Sequence, residues 1–365
     1  MNFVLYLLAV CCVYQVAYQL ALVITITKHK NNLRNHQIIK PLNLSVSVII
    51  CAKNEKENLT KNLPFILNQH FDDFEVIVVD DGSDVPFTWI HERLTIITLT
   101  KEEKIGLGKK YALQKGVEHA SKKIILLTDA DCKPASPNWI SEMSSLINEE
   151  HKIVLGISPY TYENTLLNAL VEYETAQTAM QYIGFALLGM PYMCVGRNVC
   201  YDAQLLKSKT WNTKELAIAS GDDDLTIQSL ATKKNTTVCL SKDSYTYSDA
   251  KKTWSTWFTQ KTRHAESGFM YKFYQKLLLG AFIFCKSGIY VSFFSTICLL
   301  NKINTLSLGS VIITMVITCI ANMQLHITLN LLKRWNYTLI LDPIYGTTQL
   351  LIGLSNLLPL NRKWK

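Results

Sequence analysis

The acidic side chains of this sequence fall into groups whose spacing could do chemistry on a nucleotide. In Ile124-Ile-Leu-Leu-Thr-Asp129-Ala-Asp131 a short apolar run ends in two carboxylates one residue apart. The run reads as a buried strand, and ligands of open α/β sheets bind beyond the carboxyl ends of the strands. Two hard oxygen ligands at such a tip suit Mg2+ or Mn2+ bridged to nucleotide phosphates. A solvated turn is the plain alternative. Asp80-Asp81-Gly82-Ser83 ends another apolar run. It could accept hydrogen bonds from a uracil edge or a ribose, or simply form a capped turn. Ser220-Gly-Asp222-Asp223-Asp224-Leu225 sets three carboxylates side by side ahead of a helix. Their mutual repulsion should raise at least one pKa, as a general base requires. Helix N-capping explains one of the three well, and three poorly.

The elements that must carry these groups alternate. Residues 45–50 form a strand, followed by Cys51-Ala52-Lys53-Asn54-Glu55 and a helical run over 56–69. Further strands are expected at 74–79, 94–99 and 123–128, with Gly106-Leu-Gly108-Lys109 opening a helix that runs to about residue 120. Strands and helices in this order imply βαβ units and a parallel sheet. Asn54 and Glu55 then stand at a helix N-terminus, where backbone N–H groups are free. The glycine-lysine segment lacks P-loop spacing and no dinucleotide fingerprint is present, which argues against ATPase and dehydrogenase chemistry.

Apolar runs are unevenly placed along the 365 residues, of which 48% are hydrophobic and whose net charge is +8. Residues 3–27 carry no charged side chain, and about 20 apolar residues suffice to cross a bilayer. Without a basic n-region or a cleavage site, this run is expected to be a retained anchor. Three more apolar stretches follow at 277–300, 306–332 and 338–360; the first holds Lys286 and the third Asp342-Pro343. Ionisable groups at such depth face protein or a water-filled cavity. Lys28, His29, Lys30, Arg34 and Lys40 follow the first span, so the positive-inside rule puts the soluble part in the cytoplasm. Lys333 and Arg334 agree; Arg362, Lys363 and Lys365 conflict if all four segments cross. Residues 166–193 are apolar with interspersed glutamates, as in a core helix or a hydrophobic shelf at the bilayer. The ten cysteines show no Cys-x-x-Cys spacing and read as free thiols of a reducing compartment.

In order, Ala52-Lys-Asn54-Glu55, Asp80-Asp81-Gly-Ser, Gly108-Lys109 and Thr128-Asp129-Ala130-Asp131 resemble the family 2 glycosyltransferases. The resemblance implies a GT-A fold, a Rossmann-like α/β domain that binds a nucleotide-sugar. It implies that Glu55 and Asp81 hold the nucleoside, with Ala52 and Asn54 nearby, and that Lys109 adds positive charge near the departing diphosphate. Asp129 and Asp131 would serve a divalent cation, Mg2+ or Mn2+, and Asp129, Ala130 and Asp131 the donor sugar. Gly196-Arg-Asn198-Val-Cys-Tyr201 resembles the segment that lines the acceptor side of the sugar pocket. Asp222 takes the place of the family's catalytic base, with Asp223 as the alternative, since Gly221 replaces the usual Glu. Gln260, Arg263 and His264 resemble the Gln-x-x-Arg-Trp element, whose arginine steadies the donor diphosphate; His264 stands where Trp is common, a departure also found in non-processive membrane members.

The expected architecture is an anchor at 1–28, a cytoplasmic GT-A domain at 44–250, amphipathic interface helices at 251–276 and transmembrane helices at 277–360. The expected activity is inverting transfer of a sugar, from a UDP-linked donor, to a lipid or lipid-linked saccharide in envelope glycan synthesis at a bacterial cell membrane. A polysaccharide-elongating synthase and a catalytically silent nucleotide-sugar-binding subunit of an export complex are the alternatives. The expected partners are donor, acceptor and membrane, with no nucleic acid.

Overall fold

The computed structural model describes residues 2–35, 44–100, 102–103, 108–298, 305–331 and 337–355. Lys40, Gly106, Lys333, Arg334, Arg362, Lys363 and Lys365 lie outside the described residues. From the N-terminus, α1 (Asn2–Asn35) precedes β1 (Val46–Ala52), α2 (Lys56–Leu67), β2 (Phe74–Asp80), β3 (Leu94–Thr98), α3 (Lys110–His119), β4 (Ile124–Asp129) and β5 (Lys133–Pro134). Then come α4 (Trp139–Ser144), β6 (Ile153–Leu155), α5 (Leu166–Leu187), β7 (Val199–Asp202), α6 (Ala203–Lys207), α7 (Thr213–Leu216), α8 (Asp224–Leu230), β8 (Thr236–Val238) and β9 (Thr246–Tyr247). Helices α9 (Trp254–His264), α10 (Phe273–Cys298), α11 (Thr305–Leu329) and α12 (Thr338–Ser355) follow. The chain divides into two compact units: Lys30–Thr161 with Phe185–Ala250, and Met1–His29 with Tyr162–Gly184 and the segment from Lys251.

The first unit is built on a seven-stranded sheet of order β3-β2-β1-β4-β7-β6-β8. Strand β1 runs parallel to both β2 and β4, with Ala52 beside Asp80 and Cys51 beside Asp129. The carboxyl ends of these three strands are therefore level. The sheet is mixed where a parallel one was expected, because β7 runs antiparallel to β4 and to β6. Four residues long and reached only after α5, β7 carries no local signal of its direction. The period of two along each strand sorts the packing. Val46, Val48 and Ile50 join Val76, Val78, Leu126, Trp139 and the α2 residues Leu59, Leu63 and Ile66 in one core; each such side chain contributes roughly 1.5–3 kcal/mol when buried. On the other face α3 comes so close that a Cβ on Gly116 would lie 2.6 Å from Ile49 Cγ2. That approach explains a glycine in mid-helix, where it costs about 1 kcal/mol relative to alanine.

The second unit is helical. Among the described residues three stretches, Leu5–Leu33, Phe273–Ser295 and Leu308–Leu329, are long and apolar enough to cross a membrane. The 18-residue α12, with Asp342 and Pro343, is not among them. Its carboxylate has a partner: Asp342 pairs with Lys286 of α10 at 2.5 Å and accepts from the Tyr173 and Tyr290 hydroxyls. The two ionisable residues that break the apolar pattern thus face protein and each other. Residues 162–184 group with these helices, and α5 packs against α1 so closely that a Cβ on Gly184 would lie 2.3 Å from Leu22 Cδ2.

Candidate active site

The level ends of β1, β2 and β4 bring three of the sequence motifs to one edge of the sheet. The Asp81 N–H donates to Ala52 O at 2.7 Å, tying the end of β2 to the end of β1. Asn54 adopts the left-handed conformation, φ 55°, and acts as a strut. Its N–H donates to Ser83 Oγ (2.8 Å), its Nδ2 to Asp84 Oδ2 (3.0 Å), and its Oδ1 accepts from the Asp84 N–H (2.9 Å). The adjacent aspartates have separate tasks. Asp80 caps the turn, accepting from the Ser83 N–H at 3.0 Å and the Phe87 N–H at 2.9 Å; Asp81 lies buried beyond the strand end. Glu55 stands at the N-terminus of α2, where its Oε2 accepts from Asn58 Nδ2 at 2.5 Å.

At the tip of β4 the backbone turns sharply. The Cys132 N–H donates to Asp129 O at 3.1 Å, while Asn62 Nδ2 holds Ala130 O at 3.0 Å. Lys109 then joins this turn to the acidic run before α8: its Nζ lies 2.8 Å from Asp129 Oδ1 and 3.1 Å from Asp222 Oδ2. Burial works against its charge, but Asp129, Asp222 and Asp223 outweigh that and hold its pKa well above the ordinary 10.5. The segment bearing Lys109 is stitched to the loop before Asp222 from both sides. Gly108 has φ +74° and sits so close to the loop that a Cβ would be 2.2 Å from Ala219 O. Lys110 is fully buried and donates to Ile218 O at 2.8 Å and Ser220 O at 2.7 Å.

Asp222 and Asp223 are placed differently. Asp223 is the N-cap of α8: its Oδ1 accepts from the Asp224 N–H at 2.9 Å and its Oδ2 from the Gly196 N–H at 2.8 Å. Burial, and then the charge of Asp222, push its pKa up to about 6. Asp222 keeps 13% of its side chain exposed while bonded to Lys109. One carboxylate of the run is therefore a structural cap with a raised pKa, and its neighbour has an accessible oxygen.

The donor set fits a divalent cation at Asp131. Burial, and then the neighbouring charge of Asp129, raise the pKa of this carboxyl, against which Arg197 works at a distance. A cation would relieve such a charge. Asp131 also accepts weakly from the Cys132 thiol at 3.4 Å. Among the described residues no cluster of three or more His, Cys, Asp or Glu forms a metal cage, so further ligands would be phosphate oxygens and water, as is usual for Mg2+.

Two cations escaped sequence reasoning. Lys110, next to Lys109 in the chain, is an internal strut. Arg197, between Gly196 and Asn198, donates to Ser248 Oγ at 2.5 Å and Ser158 O at 3.0 Å and lies 4.5 Å over the Tyr160 ring. The signal was a lone arginine inside an otherwise apolar strand entry. The neighbouring Asn198 and Tyr201 are fully buried. Asn198 accepts from Trp139 Nε1 and donates to Ile157 O and Ser244 O, so it holds the wall from within rather than lining it. Gln260, Arg263 and His264 are carried by α9 in the helical unit, where Arg263 Nη2 lies 3.4 Å from His264 Nε2.

Residues 47–200 match the family described as Glycosyl transferase family 2, and residues 124–345 match Glycosyl transferase family group 2. An uncharacterized glycosyltransferase of Haemophilus influenzae is 30% identical over 144 residues, or 38% of this chain and 41% of that protein. The chain thus matches about two-fifths of the length of this curated relative. Among solved structures, the mannosyltransferase PcManGT from Pyrobaculum calidifontis, in complex with GDP-Man and Mn2+, superposes with a TM-score of 0.55 at 14% identity, covering 96% of this chain and 99% of that one. TarS residues 1–349 of S. aureus, in complex with UDP-GlcNAc, gives a TM-score of 0.40 at 16% identity, covering 86% and 92%. The first of these likenesses shows a shared fold.

Proposed function

For this chain, which belongs to the family 2 glycosyltransferases, we propose inverting transfer of a sugar from a UDP-linked donor to an acceptor at the membrane. The observation that carries the reading is Lys109, whose one ammonium group spans Asp129 and Asp222. A donor held at the β4 tip would then have its anomeric carbon within reach of a base on the other side of that ammonium.

In the proposed reaction the acceptor oxygen attacks the anomeric carbon as its proton passes to the Asp222 carboxylate. The bond between the anomeric carbon and the phosphate oxygen breaks, and its electron pair leaves with the nucleoside diphosphate. Asp222 has this role because its oxygen is accessible, whereas both oxygens of Asp223 hold backbone amides. Glu55 and Asp81 would hold the nucleoside, with Ala52 and Asn54 shaping that end, and Ala130 would lie along the sugar. Asp131, with Asp129 beside it, would hold the Mg2+ or Mn2+ that neutralises the departing diphosphate. Gln260, Arg263 and His264 of α9 would serve the same diphosphate, a task suited to the planar fork of arginine. The basic residues Lys28, His29 and Lys30, directly after the uncharged run at 3–27, support a cytoplasmic catalytic unit. Apolar helices from both ends of the chain support a lipid or a lipid-linked saccharide of the cell envelope as acceptor.

The test is donor hydrolysis by the purified full-length protein in detergent. UDP-glucose, UDP-galactose, UDP-N-acetylglucosamine and GDP-mannose would be screened with Mn2+ or EDTA, for wild type and Asp131→Ala. Metal-dependent release of UDP from one donor, lost in the variant, is the expected result. No release from any donor, even with a lipid extract supplied as acceptor, would overturn the catalytic reading.

A further inference from the structure

The helical unit holds a carboxylate that the proposed chemistry does not use. Glu174 of α5 is 5% exposed, and its hydrogen bonds go to two other helices. Its Oε2 accepts from Trp257 Nε1 at 3.2 Å and pairs with Lys261 Nζ at 3.0 Å, both on α9; its Oε1 accepts from Gln349 Nε2 of α12 at 2.8 Å. Trp257 is itself buried and Lys261 is 14% exposed. Trp257 and Lys261 are four residues apart, so they stand one above the other on a single face of α9. A second ion pair, Lys252 with Glu163, fastens the approach to α9 onto the segment before α5.

We propose that Glu174 is a positioning residue that fixes the rotation of α9, and through it the direction of Arg263. This rests on the reading that Arg263 meets the donor diphosphate. Apolar packing alone would anchor a helix, and a buried ion pair is seldom worth more than well-packed apolar residues of equal volume. What a two-point carboxylate latch adds is a defined rotational setting. Arg263 follows Lys261 by two residues without a break in the helix, which places it about 200° around the axis. Holding Lys261 against α5 therefore turns Arg263 away from that contact. A few tens of degrees of rotation would displace a guanidinium by several ångströms.

The two ends of the donor can be probed separately by equilibrium binding of UDP and of uridine to the full-length protein in detergent, or of GDP and guanosine if the wild type prefers guanine. Arg263→Ala comes first, as the control on the underlying reading: it should weaken UDP and spare uridine. Glu174→Gln should show the same pattern, about tenfold weaker for UDP and within twofold for uridine. Lys261→Met should reproduce it and Lys261→Arg should restore it, which keeps the test open if Glu174→Gln fails to fold. If Arg263→Ala is selective but Glu174→Gln and Lys261→Met leave both affinities at the wild-type value, or lower both equally, the positioning role is wrong. If Arg263→Ala itself does not separate the probes, the assignment of α9 to the diphosphate fails, and the latch fails with it.

Discussion

Replacing Asp222 and Asp223 separately by asparagine divides catalysis from architecture. At Asp222 the asparagine keeps the volume and one acceptor oxygen, which can still take the Lys109 ammonium 3.1 Å away. What it loses is the capacity to accept a proton. A positioned general base is worth roughly 10²–10⁴ in rate, or about 3–5 kcal/mol on the barrier. Transfer by Asp222→Asn should fall by that factor, with UDP affinity and thermal midpoint close to wild type. Asp223 is the opposite case. Its two oxygens accept the Gly196 and Asp224 N–H groups at 2.8 and 2.9 Å. Asparagine has one acceptor and sets an NH2 against the other amide. An amide left without an acceptor costs about 1–3 kcal/mol, which lowers a midpoint by roughly 2–10 °C in a unit of this size. The pH dependence gives a second readout. With its pKa pushed up to about 6, the folded Asp223 keeps a proton where the unfolded carboxyl, near 3.8, has lost it. Its contribution to stability is therefore fully present below about 3.8 and is lost as the pH rises through about 6. Acidifying the wild type from pH 7 to pH 5 should raise the midpoint relative to Asp223→Asn over the same range. Rapid transfer and pH-dependent melting would be measured on the same preparations. Near-normal turnover by Asp222→Asn, with Asp223→Asn inactive at an unchanged midpoint, would refute the assignment and move the base to Asp223.

Two further substitutions test the supporting structure. Gly108→Ala forces a Cβ to 2.2 Å from Ala219 O at a φ of +74°; left-handed strain of about 1–2 kcal/mol adds to a backbone clash, so both melting point and transfer rate should fall. Wild-type values for both would mean that residues 108–110 are not pinned to the loop before Asp222. Lys286→Met strands the buried Asp342 carboxylate and should cost about 3–5 kcal/mol in detergent denaturation, while Lys286→Met with Asp342→Leu should recover most of it. Equal losses in the single and double variants would show that the pair is not coupled.

The parts of the site that were legible in the sequence are those whose signal is local. Apolar runs at β1, β2 and β4 each end in polar residues, and strand length sets where those residues emerge. The division of labour between adjacent carboxylates is not local. Asp80 and Asp81 look alike in the chain; one turns back to the Ser83 and Phe87 amides, the other does not. Asp222 and Asp223 are separated by the Gly196 amide, 27 residues away in sequence. Lys110 is the clearest case. Its carbonyl partners are more than 100 residues distant, and no periodicity distinguishes it from the solvated lysine that a Lys-Lys pair ordinarily signals. The direction of β7 was hidden for a related reason, since it depends on where the long excursion through α5 returns the chain.

The electrostatics of the donor edge constrain how a diphosphate can be held there. Lys109 stands between two carboxylates at 2.8 and 3.1 Å, and Lys110 is committed to two backbone carbonyls. Moving Lys109 toward a phosphate would leave Asp129 and Asp222 facing each other beside Asp223, whose pKa burial and then the charge of Asp222 already raise. In a medium of effective dielectric about 20, a unit-charge pair at 3 Å is worth on the order of 5 kcal/mol before desolvation. Lys109 is thus better suited to holding the base in place than to meeting the donor. In the proposed site the charge that develops on the leaving diphosphate would then be met from elsewhere, first by a divalent cation held at Asp131.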